Sequence, residues 1–271
     1  MIEAEARPRA VAFFDIDGTL MQHFVKTRNP DQEPTQVVQD AVREFVAAGN
    51  VAFLSTGRSP AGIKGAIRDL PFSGMVCADG AYVEFEGTTL LDAKIEDDLV
   101  EALVQEQLDC GSLGGYEDRA GIFEVDRDGR NLAPNLVPVR SIDELHELFP
   151  DLHVWKVNVQ GENWDRLVKS SRVLDKFEHF YAGNGQHELA AVGVSKGRGA
   201  RLLLQSVKHA PEHVLGFGDS PNDIPIFELA DVAVAMGNAN ERTRAAADVV
   251  TDDVEHDGVA TGLAQLAHLW R

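Results

Sequence analysis

Five short stretches of this sequence are almost wholly apolar, and each stops abruptly at a polar or glycine-rich turn: Ala10–Phe14, Val51–Leu54, Gly74–Ala78, Val214–Phe217 and Asp231–Ala235. Such runs suit strands buried on both faces. Strands of that kind belong to parallel sheets with helices on either side, and the segments between them supply helices. After Thr35, a plausible N-cap, Val37, Val38, Ala41, Val42, Phe45 and Val46 recur at helical spacing, and Gly49 stands where a helix-ending glycine belongs. Ser59-Pro60 reads as a second helix start, with the helix running to about Leu70. The pattern predicts an α/β chain with a Rossmann-like, doubly wound parallel sheet.

In open sheets of this type, ligands bind outside the carboxyl ends of the strands. Chemistry-bearing residues collect at those ends here. The first strand runs into Asp15-Ile16-Asp17-Gly18-Thr19, the second into Ser55-Thr56-Gly57-Arg58, and the fourth into Gly218-Asp219-Ser220-Pro221-Asn222-Asp223. Taken singly, each has an ordinary use. Asp-rich turns cap themselves, Thr56 caps a turn as readily as it holds a ligand, and a lysine such as Lys196 at a helix start is usually solvated.

Taken together they resemble the four motifs of the haloacid dehalogenase superfamily of phosphotransferases: DIDGT, STGR, the lysine of GVSKG, and GDSPND. DVAVA with Met236-Gly237-Asn238-Ala239, and DGVATGL further on, also resemble the Cof-like phosphatases with type IIB caps. The resemblance implies an enzyme, a phosphoric monoester hydrolase acting on small phosphorylated metabolites such as sugar phosphates. Asp15 would be the nucleophile, because a carboxylate can take a phosphoryl group as an aspartyl phosphate and split one hard step into two. Asp17 would protonate the leaving oxygen and then activate water, with Gly18 permitting the tight turn between strand end and pocket. Thr56 and Lys196 would hold phosphoryl oxygens, with Gly57, Arg58 and Asn222 also on the substrate. Mg²⁺ would be the cofactor, a hard cation suited to oxygen ligands. Asp15, Asp219 and the backbone carbonyl of Asp17 would bind it, while Asn222 and Asp223 would position it or Lys196.

From about Tyr82 the texture changes to an α+β stretch of about 100 residues with mixed strands and helices. By the resemblance it is an inserted type II cap at 82–185, interrupting a core of 1–81 and 186–271, with Gly183-Asn184-Gly185 as the return hinge. The subfamily usually has Asn-Gly-Ala after the third core strand, whereas this chain has Asp79-Gly80-Ala81. Cap residues select the substrate, and Lys156 and Arg58 are the leading candidates for its anionic groups. Two other classes fit the same motifs: a phosphomutase, which a small helical cap after the first motif would favour, and a non-catalytic sugar-phosphate-binding regulator, which loss of Asp15 or Asp17 would signal.

Composition narrows the partners. The net charge is −19, which argues against a nucleic-acid backbone as partner. The same charge repels anionic substrates at long range, so a phosphate site needs a cation and local basic groups. Two cysteines, Cys77 and Cys110, are too few for a disulfide framework and suit a reducing cytoplasm. No apolar run approaches the roughly 20 residues that span a bilayer, and the charged start MIEAEARPRA lacks the apolar core of a signal peptide. His209 and His213 have Pro211 between them and read as surface.

Overall fold

A computed structural model describes residues 7–23, 32–129, 136–183 and 185–271. The chain forms two compact units, Met1–Leu91 with Ser195–Arg271, and Asp92–Val194. The polar stretch 21–34, which reads in sequence as a loop, lies partly outside the described residues.

The first unit is built on an eight-stranded sheet. Its strands are β1 (Ala10–Phe14), β2 (Val51–Ser55), β3 (Gly74–Cys77), β4 (Tyr82–Phe85) and β5 (Thr88–Asp92), and, after the second unit with its β6 to β11, β12 (His213–Gly218), β13 (Val232–Ala235) and β14 (Val249–Val250). The order is β14-β13-β12-β1-β2-β3-β4-β5. Pairing from β14 through to β3 is parallel, and β4 runs antiparallel to β3. The chain moves one way from β1 to β2 and returns on the other side as β12. The carboxyl ends of β1 and β12 therefore flank the point where strand order reverses, the crevice such sheets use for ligands.

Strand alternation explains why β1 is apolar throughout. Ala10, Ala12 and Phe14 pack with the helix Gln36–Ala47 and the C-terminal Trp270, while Val11 and Phe13 pack with Ala200 and Leu203 of the helix Lys196–Ser206. Both sets are buried, so no position on the strand tolerates a polar side chain. Phe14 stacks on Phe217 of β12 at 5.0 Å between centroids, and Phe13 meets Phe53 of β2 at 5.3 Å. Buried Asn50 pins one end of the layer: its side chain accepts from the Ala10 N–H and donates to the carbonyls of Phe45 and Trp270. The first helix starts as expected, with the Thr35 hydroxyl accepting from the Val38 N–H. The second does not run from Ser59 to Leu70. It breaks into a single turn, Pro60–Gly62, and a short helix, Ala66–Asp69, separated by Gly65 at φ +63°. There the Glu33 carboxylate takes the Ala66 N–H, and a side chain on Gly65 would collide with it.

The second unit holds a six-stranded sheet in the order β10-β11-β9-β6-β7-β8. Its strands are β6 (Gly114–Asp118), β7 (Gly121–Val125), β8 (Val137–Val139), β9 (Val154–Gln160), β10 (Glu178–Gly183) and β11 (Gln186–Ala190). One set of its alternating side chains, including Tyr116, Phe123, Val157 and Leu189, forms a core with the helices Asp97–Cys110, Ile142–Leu148 and Glu162–Ser170. The expected boundaries shift at both ends. The hairpin Tyr82–Asp92 pairs with β3 and so extends the core sheet. The stretch Gln186–Ala190, expected in the core, pairs with β9 and β10. Gly185 lies in the tight connection of the β10–β11 hairpin rather than at a hinge between units, and Asn184 lies outside the described residues. The stretch 162–177 reads in sequence as one helix, but the helix stops at Ser170.

The other face of this sheet carries charge. Lys156 is 4% exposed and lies 3.4 Å from Glu117 on β6 and 3.3 Å from Glu188 on β11. Two carboxylates meet its ammonium, so Lys156 is not the open substrate-anion group expected of it. On β7, burial pushes the Glu124 carboxyl up to about 7, with the Asp126 charge adding to the effect. Folded Glu124 therefore holds a proton that the unfolded chain has already lost, and stability falls as pH rises from about 4.5 to about 7. Glu124→Gln should remove that part of the fall, so the variant gains on the wild type as pH rises. Urea unfolding of both proteins across this window tests it; a constant difference between them would mean that Glu124 does not titrate there.

Among the described residues, no helix is long and apolar enough to cross a membrane.

Candidate active site

Asp15 is the first residue past β1, and its N–H still bonds to the Phe217 carbonyl of the neighbouring strand. The sheet thus fixes the backbone from which its carboxylate leaves. That carboxylate is buried and accepts from Lys196 Nζ at 2.8 Å. Lys196 opens the helix Lys196–Ser206, whose N-cap Ser195 accepts from the Arg198 N–H. The ammonium also donates to Asp223 Oδ1 at 2.7 Å. Burial works against the charge on Lys196, but Asp15, Asp223 and Asp79 outweigh it and hold the lysine protonated well above its ordinary range. Burial pushes the Asp15 carboxyl well up; Lys196 pulls it back, while Asp223 and Asp219 push it further up. Asp15, Asp219 and Asp223 bring carboxylate oxygens within 4.8 Å of one another, all buried. The cluster is over-acidic for one lysine, and its donors are all oxygen. That combination fits a small, hard divalent cation.

The GDSPND segment explains how two of these acids come together. Asp223 Oδ2 accepts from the N–H groups of Asp219 and Ser220, closing the turn after β12 on itself. Oδ1 takes the Lys196 ammonium, so both oxygens of this carboxylate are bonded. Its place in the cluster is to hold Lys196 and the Asp219 loop. Gly218 has to be glycine here, because a Cβ would lie 2.4 Å from the Asp223 carboxylate. Asn222 does not reach Lys196. Its Nδ2 donates to Asp79 Oδ1 at 2.8 Å, and its own Oδ1 is buried without a partner. The Asp79 departure therefore has a structural consequence: a carboxylate can only accept, which fixes the orientation of the Asn222 amide. Asp79 itself adopts φ +55°, a conformation that Asp and Asn tolerate better than most residues.

Thr56 sits at the end of β2, 1% exposed. Its hydroxyl accepts from the Arg58 N–H at 3.1 Å, which leaves its own proton to donate. Gly57 lies in the turn between them. Asp17 is not in the acidic cluster. Arg58 grips it with two charge-assisted bonds of 2.7 Å, one to each carboxylate oxygen. The expected acid–base residue and an expected substrate-binding residue thus form an ion pair about a quarter exposed on each side. Two further residues, His23 and Asn238, both bond Asp219; the sequence gives His23 no notice and Asn238 a place in a family-like stretch but no role. The signal for Asn238 was its place at another strand end, directly after β13; His23 carried none.

The sequence profile of the haloacid dehalogenase-like hydrolase family matches residues 12–263, and the chain belongs to that family. Among curated relatives, one from Streptococcus pyogenes, whose name pairs a phosphatase with a peptidyl-prolyl cis-trans isomerase, is 27% identical over 98% of this chain. The chain spans only 55% of that relative's length. The pyridoxal phosphate phosphatase YbhA of Escherichia coli is 25% identical over 92% of this chain and 96% of its own. Among solved structures, a subclass IIB sugar phosphatase of the superfamily superposes with a TM-score of 0.75 at 22% identity, covering 95% of this chain and 98% of its own. The two-unit architecture, a doubly wound core with an inserted cap, is the fold of that subclass.

Proposed function

We propose that this protein is a Mg²⁺-dependent phosphatase of small phosphorylated metabolites that works through a phosphoryl group carried on Asp15. The observation that carries the reading is the buried Asp15 carboxylate, bonded to Lys196 and facing Asp219 at the point where strand order reverses. Lys196 holds Oδ1 of Asp15 and favours its anion against burial, leaving Oδ2 to attack phosphorus. The leaving oxygen departs with a proton from Asp17. Water then attacks the acyl phosphate, with Asp17 taking the proton back, so Asp15 and Asp17 both return to their starting state. Thr56 donates its hydroxyl proton, and Lys196 its ammonium, to the phosphoryl oxygens. Asp15, Asp219 and the backbone carbonyl of Asp17 are the ligands for Mg²⁺, which when bound offsets the charge between an anionic nucleophile and an anionic substrate. Asp223, in the same acidic cluster, holds Lys196 and the Asp219 loop.

Relatives named for pyridoxal phosphate and for other small phosphate esters support the substrate class. Phosphate release from a panel of phosphorylated metabolites should vanish in EDTA and return with Mg²⁺. Ca²⁺ should restore it poorly, since it prefers more ligands at longer distances. Full turnover by metal-free protein would remove the cation from the reaction.

A further inference from the structure

Asp219 leaves β12 with its carboxylate met by three donors. Oδ2 accepts from His23 Nε2 at 3.0 Å and from Asn238 Nδ2 at 3.3 Å, and Oδ1 accepts from the Ser220 hydroxyl at 3.0 Å. A carboxylate oxygen offers two lone-pair positions, so Oδ2 is filled by two side chains from elsewhere in the chain. Oδ1 faces only a hydroxyl from the next residue, a rotor that can turn away.

Asn238 is itself held on three sides. Its Nδ2 also donates to the Gly18 carbonyl at 2.8 Å, and its Oδ1 accepts from the Val254 N–H at 2.8 Å. One partner can only accept and the other can only donate, so the amide has a single orientation. Through it, the turn after β1, the end of β12 and the turn Val254–His256 are tied together. Gly18 is pressed into the same knot at φ +89°. A Cβ there would lie 2.3 Å from Asp219 Oδ2 and 2.6 Å from His23 Nε2.

We propose that Asn238 and His23 are positioning residues for the cation ligand: by filling Oδ2 they fix the rotation of the Asp219 carboxylate and leave Oδ1 as the atom offered to the metal. The inference rests on the reading of Asp219 as a metal ligand. It requires only that His23 present a hydrogen on Nε2, which both the neutral tautomer and the cation can do. Partners of this kind are commonly worth about 10- to 100-fold in metal affinity.

The test is Mg²⁺ binding by calorimetry on substrate-free full-length protein, with no turnover in the assay. Asn238→Ala and His23→Leu should each weaken Mg²⁺ about tenfold or more. His23→Gln, whose amide keeps a donor, should bind close to the wild type. If Asn238→Ala fails to fold, as judged by unfolding in EDTA, the Leu and Gln variants at position 23, a partly exposed site, decide the matter. Wild-type affinity in both Asn238→Ala and His23→Leu would overturn the inference while leaving the metal reading intact. Equal Mg²⁺ affinity in wild type and Asp219→Asn would overturn the metal reading, and this inference with it.

Discussion

Asp15→Asn is expected to lower phosphate release by about four orders of magnitude or more, the scale seen when a catalytic nucleophile is removed. An amide oxygen is a far weaker nucleophile than a carboxylate and cannot form the acyl phosphate. The substitution is nearly isosteric, and Asn can still accept from Lys196 through its carbonyl. It also removes one of the crowded buried acids, which burial and the Asp219 and Asp223 charges already disfavour as an anion. The folded protein should therefore be at least as resistant to urea as the wild type. Steady-state turnover and urea unfolding of the purified variant check both halves. Near-normal turnover in folded Asp15→Asn would take the nucleophile role from this residue.

Asp17→Asn is expected to separate substrates by leaving group. Alkyl phosphates need a proton on the departing oxygen, whereas p-nitrophenyl phosphate releases a stable anion. General acid catalysis is typically worth about 10²–10⁴-fold, so kcat for alkyl phosphates should fall by that order and kcat for p-nitrophenyl phosphate by much less. The Arg58 ion pair makes a control necessary. Arg58 holds both oxygens of Asp17 at 2.7 Å. The acid role requires the guanidinium to be drawn off, and an incoming phosphoryl group can do this. Asp17→Asn weakens the grip as well as deleting the proton. Arg58→Gln keeps the proton donor and removes the grip, so its loss should be similar for both leaving groups. Equal losses for both substrates in Asp17→Asn would mean that Asp17 acts through structure alone.

The sheet and its strand ends were legible because a strand buried on both faces leaves an unambiguous trace: apolar residues without alternation, then a sudden polar turn. That pattern located Asp15, Thr56 and Asp219. Long-range choices left no such trace. The hairpin Tyr82–Asp92 reads locally as a hairpin wherever it goes, and only its pairing with β3 assigns it to the core. The helix expected from Ser59 fails at Gly65 because a carboxylate from Glu33, distant in sequence, takes the Ala66 N–H. A lysine in a strand, such as Lys156, looks available until the sheet register brings Glu117 opposite it and Glu188 alongside. The same holds at the site. Nothing in the sequence shows that Asp223 takes Lys196 on one oxygen and backbone N–H groups on the other, or that Arg58 pairs with Asp17.

The stereochemical course at phosphorus tests the central claim most directly. A substrate with an isotopically chiral thiophosphoryl group, turned over in isotopically labelled water, reports whether phosphorus is displaced once or twice. Transfer first to Asp15 and then to water is two in-line displacements, so the account requires retention of configuration. Inversion would mean that water attacks the substrate directly, and that Asp15 never carries the phosphoryl group.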